Sequence, residues 1–226
     1  MSLENLIEVR KNHSFNIKNL EVWFQNNIKN FGPFISIKQF VGGQSNPTFF
    51  ITSEEGNQLI LRKKPPGNLL PSAHAIEREY KVQKALKQTN VPCPEMIALC
   101  EDVNIIGTPF YIMSYIEGKV YESILEVELI KDRKDIYLLM VKMLAELHNV
   151  NYEKLNLAGF GKPSNYAQRQ ISRWEKQWNL SKQRDIPEMN SIIEWLNKHL
   201  PEKCDSSIVH GDFRLGNLIF NKDSKT

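Results

Sequence analysis

The sequence His-Gly-Asp-Phe-Arg-Leu-Gly-Asn at residues 210–217 combines the residue types that phosphoryl transfer needs. Asp212 is followed by Asn217 five positions later, which is the spacing of a kinase-type catalytic loop. In such a loop the aspartate accepts the proton of an attacking hydroxyl, and the asparagine holds a Mg²⁺ ion that bridges the nucleotide phosphates. We therefore predict Asp212 as general base and Asn217 as metal ligand. Arg214 is placed to steady the transferring phosphate, and His210 is expected to brace the loop by hydrogen bonds.

Apolar residues flank this stretch on both sides. Ile-Val at residues 208–209 precedes it, and Leu-Ile-Phe at residues 218–220 is predicted to form a strand that fixes the loop. Kinase-type sites also use a second metal-binding aspartate, and Asp223 lies in a predicted turn too close to Asn217 for that part. Because the sequence stops at Thr226, we expect the chain to be an incomplete fragment, a splice product or a truncated gene model.

A glycine-containing stretch, Gly-Gly-Gln-Ser-Asn at residues 42–46, lies between two predicted strands. Backbone amides at a glycine such as Gly43 can approach phosphate oxygens closely, and Ser45 or Asn46 can donate as well. The stretch is therefore a candidate phosphate cradle. Taken alone, such a stretch is more often a simple hairpin turn.

A candidate phosphate-binding cation follows at Arg62, at the end of the next predicted strand. Arginine carries a permanent charge and a fork of donors that suits the α- and β-phosphates. On the following helix either Glu77 or Glu79 is expected to pair with Arg62, and we favour Glu79. The alternatives are a solvated basic strand end, continued by Lys63 and Lys64, and exposed helical glutamates.

The apolar segment at residues 110–118, Phe-Tyr-Ile-Met-Ser-Tyr-Ile-Glu-Gly, is predicted to link two lobes. Backbone groups around Ser114 and Ile116 are candidates for hydrogen bonds to an adenine edge, with apolar side chains covering the ring. A plain buried strand that leaves for a glycine turn would show the same pattern.

Hydrophobic periodicity predicts the elements that position these residues. Strands come first and helices second, so the fold class is α+β, with an N-terminal lobe at 1–114 and a helical lobe at 115–226. Trp174, Trp178 and Trp195 are expected in the core, and Ile192, Ile193 and Leu196 are expected to face inward. The predicted strands are 35–41, 48–52, 58–62, 95–99 and 110–115, and the predicted helices are 17–28, 72–87, one through 136–148, 165–180 and 187–200.

Composition limits the classes of function. The 226 residues, with 41% hydrophobic residues and a net charge of +3, are typical of an ordinary soluble globular chain. No dense Lys/Arg cluster is present, so nucleic acid is not expected as a partner. Three cysteines without metal-ligand spacing favour a reducing compartment. The sequence shows neither an apolar run long enough for a membrane span nor a secretory signal, so we expect an intracellular, soluble and by default cytoplasmic protein.

Several of these motifs occur together in one known family. Gly-Gln-Ser-Asn-Pro-Thr-Phe at 43–49, Leu-Arg-Lys-Lys-Pro-Pro-Gly at 61–67, Arg-Glu at 78–79 and the 210–217 stretch resemble the aminoglycoside phosphotransferase (choline-kinase-like) superfamily. The chain is most similar there to the N-terminal kinase-like domain of acyl-CoA dehydrogenase family members 10 and 11. The resemblance implies a bilobal protein-kinase-like fold and an ATP- and Mg²⁺-dependent transfer of the γ-phosphate to a small-molecule hydroxyl.

The same resemblance implies a more specific context. The acceptor would be the 4-hydroxyl of a hydroxyacyl-CoA, with a fused or associated acyl-CoA dehydrogenase module and a mitochondrial or peroxisomal location as alternatives to the cytoplasm. Arg169, Arg173 and Lys176 are either contacts for a CoA phosphate or a solvated helix face. Family members add a second strand that ends in the metal-binding aspartate, usually Asp-Trp-Glu. The alternative function is therefore a truncated, catalytically impaired nucleotide-binding or regulatory module.

Overall fold

The structure is a computed structural model that describes residues 3–41, 46–67, 75–128, 130, 133–202 and 205–221. The chain divides into two compact units, one formed by residues 1–149 with 209–226 and the other by residues 150–208. The lobe boundary predicted at residue 114 stays a prediction. None of the helices in the described ranges combines the length and the apolar content that a membrane crossing requires.

The first unit is built on a six-stranded sheet in the order β1-β2-β3-β4-β6-β5. Every neighbouring pair is antiparallel. The predicted strands at 35–41, 48–52 and 58–62 are present as β2, β3 and β4, which are neighbours in the sheet. The strands are β1 Leu6–Ile7, β2 Phe34–Phe40, β3 Thr48–Ser53, β4 Gln58–Lys63, β5 Met96–Cys100 and β6 Phe110–Ser114.

Both faces of the sheet are covered, because alternate residues of a strand point to opposite sides. One core joins the sheet to helices α1 (Ile17–Asn27) and α3 (Val103–Ile106), and it contains Leu20, Phe24, Phe49, Ile51, Leu61, Ile106, Phe110 and Ile112. The other core joins the sheet to α2 (Ile76–Leu86), and it contains Phe50, Ile60, Ile76, Tyr80, Tyr111 and Met113. A slip of one residue would exchange the two sets, so the register of each strand is strongly fixed.

The remaining helices are α4 (Ile124–Glu128), α5 (Arg133–His148), α6 (Tyr166–Ser181) and α7 (Pro187–Lys198). The five predicted helices are therefore present. The helix predicted at 72–87 begins at Ile76, and Ser72, the first residue of that prediction, lies outside the described residues. The short elements β1, α3 and α4 were not predicted, because two to five residues are too few to show a period.

The strand predicted at residues 218–220 is reduced to a single bridge. Lys119 and Phe220 exchange backbone hydrogen bonds of 2.8 Å in both directions. Gly118 lies directly against this bridge, since a Cβ atom there would be 2.6 Å from the carbonyl oxygen of Phe220 and 2.7 Å from Cγ2 of Ile219. The close backbone approach explains why glycine occupies this position.

In the second unit, the predicted inward packing is wrong for Trp174, Trp195, Ile192 and Leu196, whereas Ile193 and Trp178 are partly buried. Trp174 is 62% exposed and Trp195 is 58% exposed, and Ile192 and Leu196 are exposed as well. Neither helix contributes a buried residue, and Trp178 is only half-buried. An apolar stripe marks the face that a helix can bury, but it carries no information on whether a neighbour covers that face.

Candidate active site

Arg62 lies on the face of the sheet that packs against α2, and its guanidinium is held by two neighbours. Nε donates to Oε2 of Glu79 at 2.9 Å, and Nη1 donates to Oγ1 of Thr48 at 3.0 Å. The predicted pairing of Arg62 with Glu79 is thus present, whereas Glu77 pairs with Lys64. The side chain of Arg62 is 25% exposed, so it is not a solvated strand end.

The carboxylate of Glu79 collects donors from three elements. Oε2 accepts from Arg62 and from the hydroxyl of Tyr111 at 3.1 Å, and Oε1 accepts from Nδ2 of Asn46 at 2.7 Å. Tyr111 and Asn46 are 1% and 2% exposed. The sequence analysis did not identify Thr48 or Tyr111. The sheet register was the signal that would have found them, since Thr48 and Tyr111 lie directly opposite Arg62 on β3 and β6.

Electrostatics keep this cluster in one protonation state. Burial by itself lowers the pKa of Arg62, but the interactions with Glu79 and Tyr111 together outweigh it, and the pKa is raised overall. Burial raises the pKa of Tyr111, so the phenol keeps its proton and donates at neutral pH. Arg62 is therefore a permanent cation whose position is set by neutral and anionic partners.

The other predicted nucleotide-binding residues fall into two groups. Gly43 and Ser45 lie outside the described residues. Ser114 donates its backbone N–H to the carbonyl oxygen of Glu95, and its Oγ accepts from the N–H of Glu95, both at 2.9 Å. These two groups of Ser114 are used within the protein, so the adenine prediction rests on the Ser114 carbonyl and on the backbone of Ile116, which is partly buried.

The loop at residues 210–217 folds its three predicted catalytic side chains together. Asn217 directs Nδ2 to both the carbonyl oxygen of Asp212, at 2.8 Å, and Oδ2 of Asp212, at 2.9 Å. Nε of Arg214 donates to the same Oδ2 at 3.3 Å. A short 3-10 helix, Leu215–Asn217, turns Asn217 back toward the aspartate. The amide oxygen of Asn217, the atom that a Mg²⁺ ion would bind, makes neither of these bonds.

The backbone of the loop is braced as predicted. Nδ1 of His210 accepts the N–H of Asp212 at 3.3 Å, and the His210 ring packs edge-on against Phe213. Gly211 has a φ of +86°, a left-handed conformation that suits glycine. Leu215 is buried in a small core that includes Tyr121 and Val127, so one apolar side chain anchors a loop whose polar side chains face outward.

The carboxylate of Asp212 is exposed and stays ionised at neutral pH. The hydrogen bond from Asn217, and after it the one from Arg214, lowers the pKa of Asp212 below its ordinary value. A carboxylate with a low pKa cannot deprotonate an alcohol before reaction. It can orient the hydroxyl and accept its proton once the oxygen begins to bond to phosphorus.

The donor set of the loop fits a hard divalent cation. Asp212 offers carboxylate oxygens and Asn217 an amide oxygen, which are the ligand types that Mg²⁺ takes from proteins, with phosphate oxygens and water completing the shell. Within the described ranges, no group of three or more His, Cys, Asp or Glu side chains is arranged to hold a metal ion.

This geometry defines the class of protein. A kinase-like phosphotransferase combines a charged pair on the sheet and its helix with an Asp-to-Asn loop. Residues 36–226 match the model of the APH phosphotransferase enzyme family. The chain belongs to that family.

Individual relatives agree with the family assignment. The human protein "Acyl-CoA dehydrogenase family member 11" is 41% identical over 224 residues, which are 96% of this chain and 28% of the human protein. Mouse "Acyl-CoA dehydrogenase family member 10" is 46% identical over 193 residues, which are 85% of this chain and 18% of the mouse protein. The chain thus spans less than a third of the length of these relatives.

A solved structure confirms the predicted kinase-like α+β fold. A candidate aminoglycoside phosphotransferase from Ralstonia eutropha superposes with a TM-score of 0.78 at 42% sequence identity. The superposition covers 92% of this chain and 61% of the Ralstonia chain.

Proposed function

We propose that the chain carries the nucleotide and catalytic groups of an ATP- and Mg²⁺-dependent phosphotransferase that phosphorylates a small-molecule hydroxyl. The observation that carries the proposal is the double hydrogen bond from Asn217 to Asp212, in a chain that belongs to a phosphotransferase family. That clamp fixes a proton acceptor and a metal-ligand oxygen in one loop.

Each residue has a role in the proposed binding step. Arg62, pinned by Glu79, neutralises the α- and β-phosphates, and the stretch at 42–46 covers the phosphates with backbone amides. Asn217 would hold the Mg²⁺ ion, which would neutralise charge on the phosphates when bound. The Ser114 carbonyl and the Ile116 backbone would form hydrogen bonds with the adenine edge.

In the transfer step, the acceptor hydroxyl oxygen forms a bond to the γ-phosphorus while the bond from that phosphorus to the β–γ bridging oxygen breaks. Asp212 takes the hydroxyl proton, and the electron pair of the broken bond leaves with ADP. Arg214 lies beside Oδ2 of Asp212 and faces the negative charge that is passed to the acceptor. Positioning and charge neutralisation provide most of the rate acceleration in such transfers.

For the acceptor, we propose a hydroxyacyl-CoA and, as partner, a fused or associated acyl-CoA dehydrogenase module. The support is that both relatives named above are acyl-CoA dehydrogenase family members and are several times longer than this chain. Arg169 and Arg173 each donate within the second unit, to Lys162 and to Gln170. Lys176 is the third basic side chain of the predicted trio and lies on the same helix, α6.

Calorimetric titration of the chain with ATP, with and without Mg²⁺, tests the proposal together with a transfer screen of hydroxyacyl-CoAs, choline and sugars. Arg62→Ala should weaken ATP binding by tenfold or more, because a charged contact to phosphate is lost. The matched control is Lys64→Ala, which removes a neighbouring cation that pairs with Glu77. Asp212→Asn should retain ATP binding and lose transfer, whereas Asp205→Asn should retain both.

Two results would overturn the proposal. The first is a wild-type chain that binds no nucleotide. The second is an Asp212→Asn variant that transfers phosphate at the wild-type rate, since the loop would then have no catalytic part.

A further inference from the structure

We infer that Asn46, Thr48 and Tyr111 are positioning residues that act through Glu79 and hold the guanidinium of Arg62, the proposed phosphate-binding cation, in one orientation. The inference rests on the proposed function and deepens it. It concerns side chains that hold the site, not side chains that touch the nucleotide.

The hydrogen bonds form a closed ring of four residues. Arg62 donates to the hydroxyl of Thr48, that hydroxyl donates to the backbone oxygen of Asn46 at 3.2 Å, the Asn46 side chain donates to Glu79, and Glu79 accepts from Arg62. Each residue of the ring is hydrogen-bonded to both of its neighbours in the ring. Because bonds in such a ring polarise one another, losing one member weakens the others.

Tyr111 adds a donor to the ring from the neighbouring strand. Its hydroxyl reaches the same Oε2 of Glu79 that accepts from Arg62. Thr48, Arg62 and Tyr111 are directly opposite one another on three adjacent strands. The sheet register therefore stacks a hydroxyl, a guanidinium and a phenol on one face, with the Glu79 carboxylate above them.

Burial excludes a direct nucleotide contact as the main role of these side chains. Asn46, Thr48 and Tyr111 are at most 2% exposed, whereas a quarter of the Arg62 side chain is accessible. The Nη2 amino group of Arg62 is not used in the ring, so the ring fixes two edges of the guanidinium and presents the third. The planar guanidinium spreads its donors over several edges, whereas a lysine ammonium would direct all of its donors from one point.

Asn46 also connects the ring to the candidate phosphate cradle. It directly follows residues 42–45 in the chain, and both its side chain and its backbone oxygen are bonded in the ring. Asn46 is thereby anchored to the same carboxylate that orients Arg62.

The first test uses Tyr111→Phe, which removes one hydroxyl and keeps the ring of the side chain. We expect the Kd and the KM for ATP to rise about tenfold, the size of effect that follows loss of a hydrogen bond to a charged group, with the KM for the acceptor unchanged. The matched control is Tyr80→Phe, since Tyr80 is 8% exposed and its ring centroid lies 6.0 Å from that of Tyr111. The hydroxyl of Tyr80 accepts from Lys84 instead, so this control should bind ATP as the wild type does.

A second pair of variants separates positioning from folding. Thr48→Val should weaken ATP binding like Tyr111→Phe, and Thr48→Ser should restore it, because serine keeps the hydroxyl. Thr52→Val is the control on the same strand. Thermal melting of each variant identifies any that fail to fold, and those are replaced by the conservative member of the pair.

NMR measures how firmly the guanidinium of Arg62 is hydrogen-bonded in the absence of nucleotide. Exchange of the Nε proton of Arg62 with solvent should be faster in Tyr111→Phe and Thr48→Val than in Tyr80→Phe. Equal exchange and equal ATP affinity in Tyr111→Phe and Tyr80→Phe would overturn the inference and leave the proposed function standing. A wild-type chain that binds no nucleotide would overturn both.

Discussion

The Asp212 carboxylate takes its hydrogen bonds from two side chains of its own loop, Asn217 and Arg214. Asn217 has the larger effect in lowering the pKa of Asp212. A single amide thus keeps the aspartate ionised and also offers the oxygen expected to bind the metal. In the proposed reaction, metal binding and proton transfer would be coupled at this one residue.

Replacing Asn217 with Ala should raise the pKa of Asp212, because a donor that stabilises the carboxylate is lost. Arg214→Ala should raise it less, in keeping with the order of the two effects. Titration of the Asp212 carboxyl carbon by NMR measures both shifts. The acid limb of the pH–rate profile should move to higher pH in the same order, and the reverse order in the titration would contradict the account.

Packing against other elements fixes the position of the loop at 210–217. Gly118 and Phe220 bring the segment after β6 against the segment after the loop, with backbone hydrogen bonds at Lys119. Leu215 adds an apolar anchor from within the loop. The loop at 210–217 is therefore held at its end by the bridge between Lys119 and Phe220 and in its middle by Leu215.

Gly118→Ala should destabilise the first unit by about 1–3 kcal/mol, the usual cost of overpacking. The added Cβ would meet the backbone oxygen of Phe220 at 2.6 Å, and backbone cannot move aside as a flexible side chain can. Denaturant unfolding provides the measurement. Gly161→Ala is the control, because a Cβ there meets nothing within 4 Å, and equal effects of the two substitutions would refute the packing argument.

The segment before α1 docks on the sheet through His13. Arg10 donates its backbone N–H to Oε1 of the buried Gln39 at 3.1 Å, so the amide nitrogen of Gln39 must face His13, where Nδ1 lies at 2.8 Å. Nδ1 therefore accepts, and the imidazole is neutral in the folded protein. Burial, with repulsion from Lys63 and Arg10, lowers the pKa of His13 below its ordinary value of 6.5.

The free energy of unfolding should consequently fall as the pH drops below about 6.5, since the unfolded chain binds the His13 proton more tightly than the folded chain does. This contribution is fully present above that pH and is lost progressively below it. Urea titrations at a series of pH values measure the effect. His13→Gln should flatten the decline relative to His148→Gln, and parallel curves for the two variants would count against the assignment.

The sequence was informative about elements where the hydrophobic period is long enough. It located the strands β2, β3 and β4, the helices α1, α2, α5, α6 and α7, and the loop of Asp212, because spacing and periodicity are local properties. It did not give Tyr111 or Thr48 a role, since their partnership with Arg62 depends on the register of three strands. It also misplaced Trp174 and Trp195, whose exposure depends on neighbours that no local pattern records.

At the scale of the whole molecule, the two units differ in how much apolar surface they bury. The first unit has a sheet covered on both faces, whereas α6 and α7 of the second unit bury no side chain completely. The aromatic side chains on α6 and α7 are therefore more accessible to solvent than those in the core of the first unit.

Tryptophan fluorescence should report this difference directly. Trp174 and Trp195 are more than half exposed, so acrylamide should quench them efficiently. Trp174→Phe should lower the accessible fraction of the emission, whereas Trp23→Phe should raise it, because Trp23 is partly covered by Phe24 and Phe110. Equal quenching of the two variants would show that α6 is covered in solution.

The hydrogen-bond ring around Glu79 has a consequence for how this site can change over evolutionary time. A single replacement at Asn46, Thr48, Arg62 or Glu79 leaves a polar group of the ring without its hydrogen-bond partner. Related sequences are therefore expected to keep the four together or to exchange them in concert. In aligned sequences of relatives, the positions of Asn46, Thr48, Arg62 and Glu79 should covary, and the position of Tyr111 should covary with that of Glu79. Such covariation would be expected if these side chains together fix the orientation of the guanidinium.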